Sequence, residues 1–419
     1  MLTPKNSSAI LVSLLVALIL FGWYKTSSSS SIAFAAAIVA ASGGKHSASE
    51  TDSASPPSSL QIGGQQVVRL ERKPTSGATK PEFLSATILP GRGMNLFQIT
   101  AYQPGKGTID VFASPSLQEA AQILDAESKD EHGVKGFTFG GAFIAPYANR
   151  IRGKLSADRK TIATEWKGKV LTLPAVWKGK ANRDAELHAI HGLILDRKAD
   201  TLDVKRTADG QTVTGTIHGG DFGGYWPSKT DLTISVALTG PAVEAIITAR
   251  NVGNEAEPMG IGWHPYFNIP SGDRKQARLH TPASQLAEVN NYEDVFPTGK
   301  LVDVKGSKYD FTPPAGNPLG NTFLDDNFSH LTLAGRDLVV DLIDPASAYG
   351  MRIRGLSPEL KTVQVYAPPD KAFAAIEEQF NFADPFSSVW KGMDTGMVTL
   401  RPGQSVTWKV RLELFTPGT

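Results

Sequence analysis

The stretch Gly260-Ile261-Gly262-Trp263-His264-Pro265-Tyr266-Phe267-Asn268-Ile269-Pro270 sets one imidazole among three aromatic rings, two prolines and an asparagine. Of the unperturbed side chains, imidazole is the one that changes charge near neutral pH, so it suits proton transfer to or from a substrate. Prolines are foreign to a central strand, because each removes a ladder donor. Clustered aromatics are foreign to an ordinary surface loop, where exposed rings mark a binding surface. The spacing therefore predicts a strand that ends at Trp263, turns at His264-Pro265 and aims the imidazole into an aromatic-lined concavity. A core histidine packed at a strand end is the plain alternative, and His264 alone does not decide between them.

Ala375-Ile376-Glu377-Glu378-Gln379-Phe380 offers the complementary group. In an extended chain Ile376 and Glu378 share one face, Glu377 and Gln379 the other. In a partly desolvated pocket Glu377 would gain the raised pKa that a general base needs. A glutamate pair at a strand edge is the ordinary reading. Asn149-Arg150 closes an apolar, turn-rich run and offers a rigid fork of donors beside an amide that both donates and accepts. That set suits a ligand covered in hydroxyls as well as it suits a surface turn. In Leu324-Asp325-Asp326-Asn327-Phe328 the two acids face opposite ways if the chain is extended, so one carboxylate points inward unless the segment is a solvated turn.

His188 and His191 stand three residues apart, on one face of a helix but on opposite faces of a strand. No third ligand lies near them at metal-site spacing and no His-Glu-x-x-His motif occurs, so neither a metal nor another cofactor is expected. Gly192 permits a sharp turn or a close backbone approach, which favours His191 as the site member.

The elements that must position these groups read as β structure. The chain has 419 residues, a net charge of +1 and no cysteine. Disulfides, zinc–thiolate sites and cysteine nucleophiles are thereby excluded, and there is no clustered basic excess of the kind that binds nucleic acid. Leu232, Ile234, Val236 and Leu238 alternate with Thr233, Ser235 and Ala237. Val406, Trp408, Val410, Leu412 and Leu414 alternate with polar residues in the same way. This is the pattern of strands with one buried and one wet face. Shorter runs at 65–70, 95–101, 331–333, 338–343, 351–353 and 362–366 are further strands. Ser-x-x-Glu over Ser116 and Glu119, with Pro115 in the first turn, predicts one short helix near 115–126. No fixed-period repeat occurs, and one large antiparallel β-sandwich over 61–419 is the simplest architecture.

Residues 1–42 read as an export signal or N-terminal anchor and 43–60 as a Ser/Gly/Pro-rich flexible linker. Lys5 precedes an apolar run at 9–24. As a helix of about 1.5 Å rise per residue it reaches about 24 Å, short of a hydrocarbon core of about 30 Å. Length thus favours a signal peptide, with Val39-Ala40-Ala41 before Ser42 as a cleavage site. Either form predicts a periplasmic or extracellular protein that meets a membrane only through its N-terminus. The oligomeric state is not readable.

The order of the motifs is more specific than any one of them. Asn149-Arg150-Ile151, His191-Gly192, His264-Pro265-Tyr266-Phe267-Asn268, Asp325 in Leu-Asp-x-x-Phe, Gln364 in Val-Gln-x-Tyr and Glu377 in Glu-x-Gln resemble the successive motifs of the aldose 1-epimerase (galactose mutarotase) family. The resemblance runs from about Gln61 to the C-terminus. It implies an all-β galactose mutarotase-like supersandwich and the interconversion of α and β anomers of free hexoses, without a cofactor. His264 would protonate the ring oxygen and Glu377 would take the proton of the anomeric hydroxyl. His191 would orient the sugar; Arg150, Asp325 and Gln364 would bind its hydroxyls, with Asn149 in support.

Three departures accompany the resemblance. Leu193 stands where a second glycine is frequent, the doubled Glu377-Glu378 leaves the register one residue open, and the long interval from Arg150 to His191 predicts an inserted hairpin near 155–185. Two readings compete with a free-hexose epimerase. One is a hexose-6-phosphate epimerase, with Arg152 and Lys154 as phosphate ligands. The other is a non-catalytic carbohydrate-binding protein in which Trp226, Trp263 and Phe380 stack on sugar faces.

Overall fold

The computed structural model describes residues 60–126, 131–178, 186–208 and 210–418. The signal or anchor expected over 1–42 and the linker over 43–60, Leu60 excepted, lie outside the described residues. Among the described residues no helix is long and apolar enough to cross a membrane.

Two large antiparallel sheets carry the fold. The first has nine strands, and its centre is built from Thr230–Thr239, Ala242–Asn251 and Ser405–Phe415. The alternation predicted for the first and last of these holds. Leu232, Ile234, Val236, Leu238, Trp408, Val410 and Leu412 are buried, while Thr233 and Thr407 are exposed. The second sheet has seven strands: β1 (Gly141–Ile144), β2 (Gly262–Asn268), β3 (Ala283–Val289), β4 (Pro297–Asp303), β5 (Leu324–Leu331), β6 (Thr362–Ala367) and β7 (Phe373–Gln379), in spatial order β4-β3-β5-β6-β7-β2-β1. The expected all-β sandwich is thus the architecture observed. The two sheets meet through tryptophans. Trp263 of β2 lies 6.3 Å from Trp408 of the nine-stranded sheet, ring centre to ring centre. Each indole N–H has a carbonyl acceptor, Gly141 O for Trp263 and Glu378 O for Trp408. Large rings can fill such a core only when that donor is satisfied.

The expected helix is α1 (Leu117–Asp125), opened by a Ser116–Glu119 capping box. Pro115 precedes the cap and is not in the first turn. The expected hairpin stands at Thr161–Trp166 and Lys169–Pro174, closed by left-handed Lys167 and Gly168. Two strand expectations fail. The run at 331–333 is the end of β5, which starts back at Leu324, and Leu333 is 47% exposed beyond it. β2 does not stop at Trp263 but continues through His264-Pro265 to Asn268. The proline is tolerated because the strand changes neighbours there. Gly262 to Pro265 pair with β1, and Tyr266 to Asn268 pair with β7, so the missing N–H falls where one ladder hands over to the other.

The register of β7 settles which glutamate faces which way. Glu378 points to the inter-sheet core, 2% exposed, and neither carboxyl oxygen has a hydrogen bond of ordinary geometry. Burial pushes its pKa well above the usual carboxylate range, with a small opposing pull from the Gly355 backbone. A carboxyl with a raised folded-state pKa contributes no penalty below its unfolded value, then costs stability as pH rises toward the folded value. Glu378→Gln is therefore expected to raise stability by about 1–3 kcal/mol at about pH 8 and by little at about pH 4. Thermal unfolding of the two proteins at both pH values measures this, and an equal gain at both would contradict it.

Candidate active site

Alternation along β5, β6, β7 and β2 sorts side chains onto two faces. Asn327 pairs with Gln364, and Gln364 pairs with Glu377. Asp325 pairs with Tyr366, Tyr366 with Ala375, and Ala375 with Tyr266. His264 is two residues from Tyr266 and shares its face. One buried sheet face thus presents Asp325, Asn327, Gln364, Glu377, Gln379 and His264 together. The opposite face presents Phe328, Val363, Val365, Ile376 and Trp263 to the core.

The remaining members arrive from a two-stranded crossing above this face. Arg150–Ile151 pairs with Ala189–Ile190, and the His191 N–H donates to Asn149 O at 3.0 Å. Asn149 (φ 63°), His191 (φ 54°) and Asp384 (φ 51°) all adopt left-handed backbone, and the Asp384 N–H donates to Arg150 O at 2.6 Å. Asparagine, aspartate and histidine are the non-glycine residues most often found in that region. Gly192 follows at φ 83°, where a Cβ would sit 2.2 Å from Ala145 O. The close backbone approach expected at Gly192 is therefore made to the chain's own Ala145 segment.

The chemistry centres on one contact. His264 Nε2 lies 3.2 Å from Glu377 Oε1, with the two residues 4% and 1% exposed. Gln379 Nε2 donates to the other Glu377 oxygen at 2.7 Å. His191 sits edge-on to His264, ring centres 4.9 Å apart, and Tyr266 stacks on His264 at 4.9 Å. Phe137 packs on both imidazoles. Beside this group Arg150 Nη2 donates to Asp325 Oδ2 at 3.0 Å and Gln364 Nε2 to Asp325 Oδ1 at 2.8 Å. Asn149 and Asn327 both donate to Gln364 Oε1.

Burial holds Glu377 well above the usual carboxylate range, and the nearby Asp325 charge adds to it against the opposing pull of Arg150 and Gln379. Burial pushes His264 down to about 3, with Arg150 adding to the effect. His191 is driven well below its ordinary value by burial and its cationic neighbours. Burial thus disfavours charge on both members of the touching pair, raising Glu377 and lowering His264.

All seven residues singled out in the sequence, Asn149, Arg150, His191, His264, Asp325, Gln364 and Glu377, are assembled here. His188 is not: its ring lies against Phe296, with Nδ1 on Glu186 O. Spacing offered the histidine pair no third metal ligand, yet folding supplies two, since donor atoms of His191, His264 and Glu377 lie within 4.8 Å of one another. An ion bound there would take the place of a proton between His264 and Glu377. Of the two residues expected to hold a phosphate, Arg152 pairs through Nε with Asp384 at 2.8 Å and lies over Phe296, and Lys154 is exposed on a short strand. Trp226, Trp263 and Phe380 are buried in the core and cannot stack on a sugar. Phe137, Tyr266, Asn327 and Asp384 were missed as site members. Asn327 could have been found by counting two on from Asp325; Phe137 carries no signal in its neighbourhood.

Residues 107–413, well over half of the chain, match the sequence profile of the family described as aldose 1-epimerase. The chain belongs to the aldose 1-epimerase family. Membership makes it a sugar epimerase of the isomerase class, with a small sugar as its substrate. No curated protein matches. Among solved structures, a galactose mutarotase-like protein from Clostridium acetobutylicum aligns with TM-score 0.63 and 19% identity over 84% of this chain and 98% of its own. An aldose epimerase homologue from C. elegans gives 0.59 and 19% over 79% and 95%. A galactose 1-epimerase from Lactobacillus acidophilus gives 0.57 and 15% over 84% and 98%. At these identities the likeness is one of fold.

His264 takes up a proton of its own only near pH 3, so the pH profile of kcat/KM should show no imidazole step between about pH 7 and pH 5. A decline centred near the ordinary imidazole value of about 6.5 in the pH profile of kcat/KM would contradict this.

Proposed function

We propose that this epimerase interconverts the α and β anomers of a free hexose of the galactose or glucose type, by ring opening between His264 and Glu377. The observation that carries the reading is the 3.2 Å contact between these two buried side chains. Anomer exchange needs one group to take the proton of the anomeric hydroxyl and another to protonate the ring oxygen, and the two oxygens share one carbon. Two partners that already touch reach both with small rotations.

In this mechanism the pair holds one proton, which starts on Glu377. As the sugar's anomeric hydroxyl comes to donate to Glu377 and gives the carboxylate a second donor beside Gln379 Nε2, that proton passes across the contact to His264 Nε2, and the sugar then takes the place of the contact. Glu377 then takes the hydroxyl proton as His264 delivers its own to the ring oxygen. The open aldehyde turns about the bond to its neighbouring carbon, and the reverse transfers close the ring from the other side. His191 orients the sugar beside His264. Arg150, Asp325 and Gln364 hold its hydroxyls, and Asn149 braces Gln364 by donating to its Oε1. No step calls for a cofactor.

Two observations favour this reading over its rivals: Arg152 is committed to Asp384, and the tryptophans a binding module would expose are buried. The apolar run at 9–24 and the small-residue site at 39–42 support export to the periplasm or cell exterior; cell fractionation that leaves the protein in the cytoplasm would remove that part of the proposal.

Polarimetry on freshly dissolved α-galactose or α-glucose tests the reaction. Glu377→Gln and His264→Asn should each lower kcat by about 10²–10⁴-fold while the fold is retained by circular dichroism. Wild-type protein that accelerates mutarotation no more than these variants would overturn the assignment.

A further inference from the structure

The interval between Arg150 and His191 builds one wall of a concavity whose lining includes neither His264 nor Glu377. Its volume is about 480 Å³, and His132, Lys135, Arg159, Lys160, Trp177 and Tyr225 line it with smaller neighbours and no acidic side chain among the described residues. That is the size of an ordinary small-molecule site. In a chain of net charge +1, composition alone does not explain three cationic side chains and a histidine around one cavity. Asp158, the acid next to Arg159, is turned into its own loop, where it accepts from Ser156 Oγ and Lys160 N. The side chains of Arg159 and Lys160 form no ion pair among the described residues.

The cleft adjoins the reacting groups through a continuous run of rings. Trp177 lies 5.0 Å from Phe137, ring centre to ring centre, and Phe137 lies 4.5 Å from His191 and 5.5 Å from His264. Tyr225 stands on the other side against His132. Half-buried aromatics give flat apolar surface for the C–H faces of a pyranose, and lysine and arginine give charge-assisted donors for an anionic substituent.

We propose that this cleft is a second sugar subsite for a uronic-acid residue, so that the substrate is the reducing end of an acidic disaccharide or longer saccharide. The inference rests on the anomerisation proposed at His264 and Glu377 for its reacting end. Attraction in a partly exposed cleft is screened by salt, so the preference for acidic over neutral saccharides should shrink as ionic strength rises.

The test measures mutarotation of galactose, digalacturonic acid and neutral galactobiose by the full chain, beside the Arg159→Glu/Lys160→Glu double variant. Both positions are exposed, so the variant should fold. Wild type should show a KM for digalacturonic acid about tenfold below that for galactobiose, and the double variant should lose that ratio. Equal KM values in the wild type, or an unchanged ratio in the variant, would overturn the subsite. So would a stronger preference for glucose 6-phosphate than for digalacturonic acid, which would give the cations to a phosphate. If no sugar is turned over, calorimetry separates the two ideas. Digalacturonic acid binding about tenfold tighter than galactobiose would keep the subsite and sink the anomerisation; no difference would sink both.

Discussion

The pleat of four neighbouring strands is the constraint on which the site depends. Asp325, Gln364, Glu377 and His264 come from β5, β6, β7 and β2, and only a common register turns all four to one face. A slip of one residue in β7 would exchange Glu377 for Glu378 and put an uncompensated carboxyl in the chamber's place. The register is held from behind. Trp408 clasps the Glu378 carbonyl, and Phe328, Val363, Val365 and Ile376 fill the core face. The apolar side of the sheet therefore decides what the polar side can do.

On the polar side the buried acids and amides form a connected network, while His191 Nδ1, His264 Nδ1 and Asn327 Oδ1 stand without a hydrogen-bond partner among the described residues. Asp325 receives Arg150 and Gln364; Gln364 receives Asn149 and Asn327; Glu377 receives Gln379 and faces His264. A half-satisfied network in a low-dielectric interior is costly, whereas a complete one locks its members' rotamers. The two acids differ in what answers them. Asp325 has a guanidinium and an amide against it, whereas Glu377 has an amide and an imidazole, and burial raises its pKa.

Much of this was legible in the chain. The alternation at 232–238 and 406–412 exposes the nine-stranded sheet because those strands are wet on one side. The seven-stranded sheet hides better: β7 is buried on both faces, so Phe373 to Gln379 shows no amphipathic period, and its register could be stated only as a choice between two glutamates. The path of β2 was misread for a related reason. Proline argues against a strand only where its N–H would be needed, and nothing local reveals that Pro265 sits at a change of partner. Arg152 looked free because its acid, Asp384, is more than two hundred residues away. Long-range ion pairs of this kind leave no trace in spacing.

The same topology explains how a long interruption between Arg150 and His191 can coexist with sub-ångström demands at the site. The chain leaves at Arg150–Ile151 and returns at Ala189–Ile190, and those two short strands are paired with each other. The ends of the insertion are thus tied by the site's own hydrogen bonds, and loop closure costs little more as the segment between them lengthens. Its hairpin can vary without moving Asn149 or His191. The returning chain sets Trp177 against Phe137, which itself precedes the insertion and packs on both imidazoles. A change in that hairpin therefore reaches His264 and Glu377 only through Phe137, while the register of the sheet fixes the pair itself.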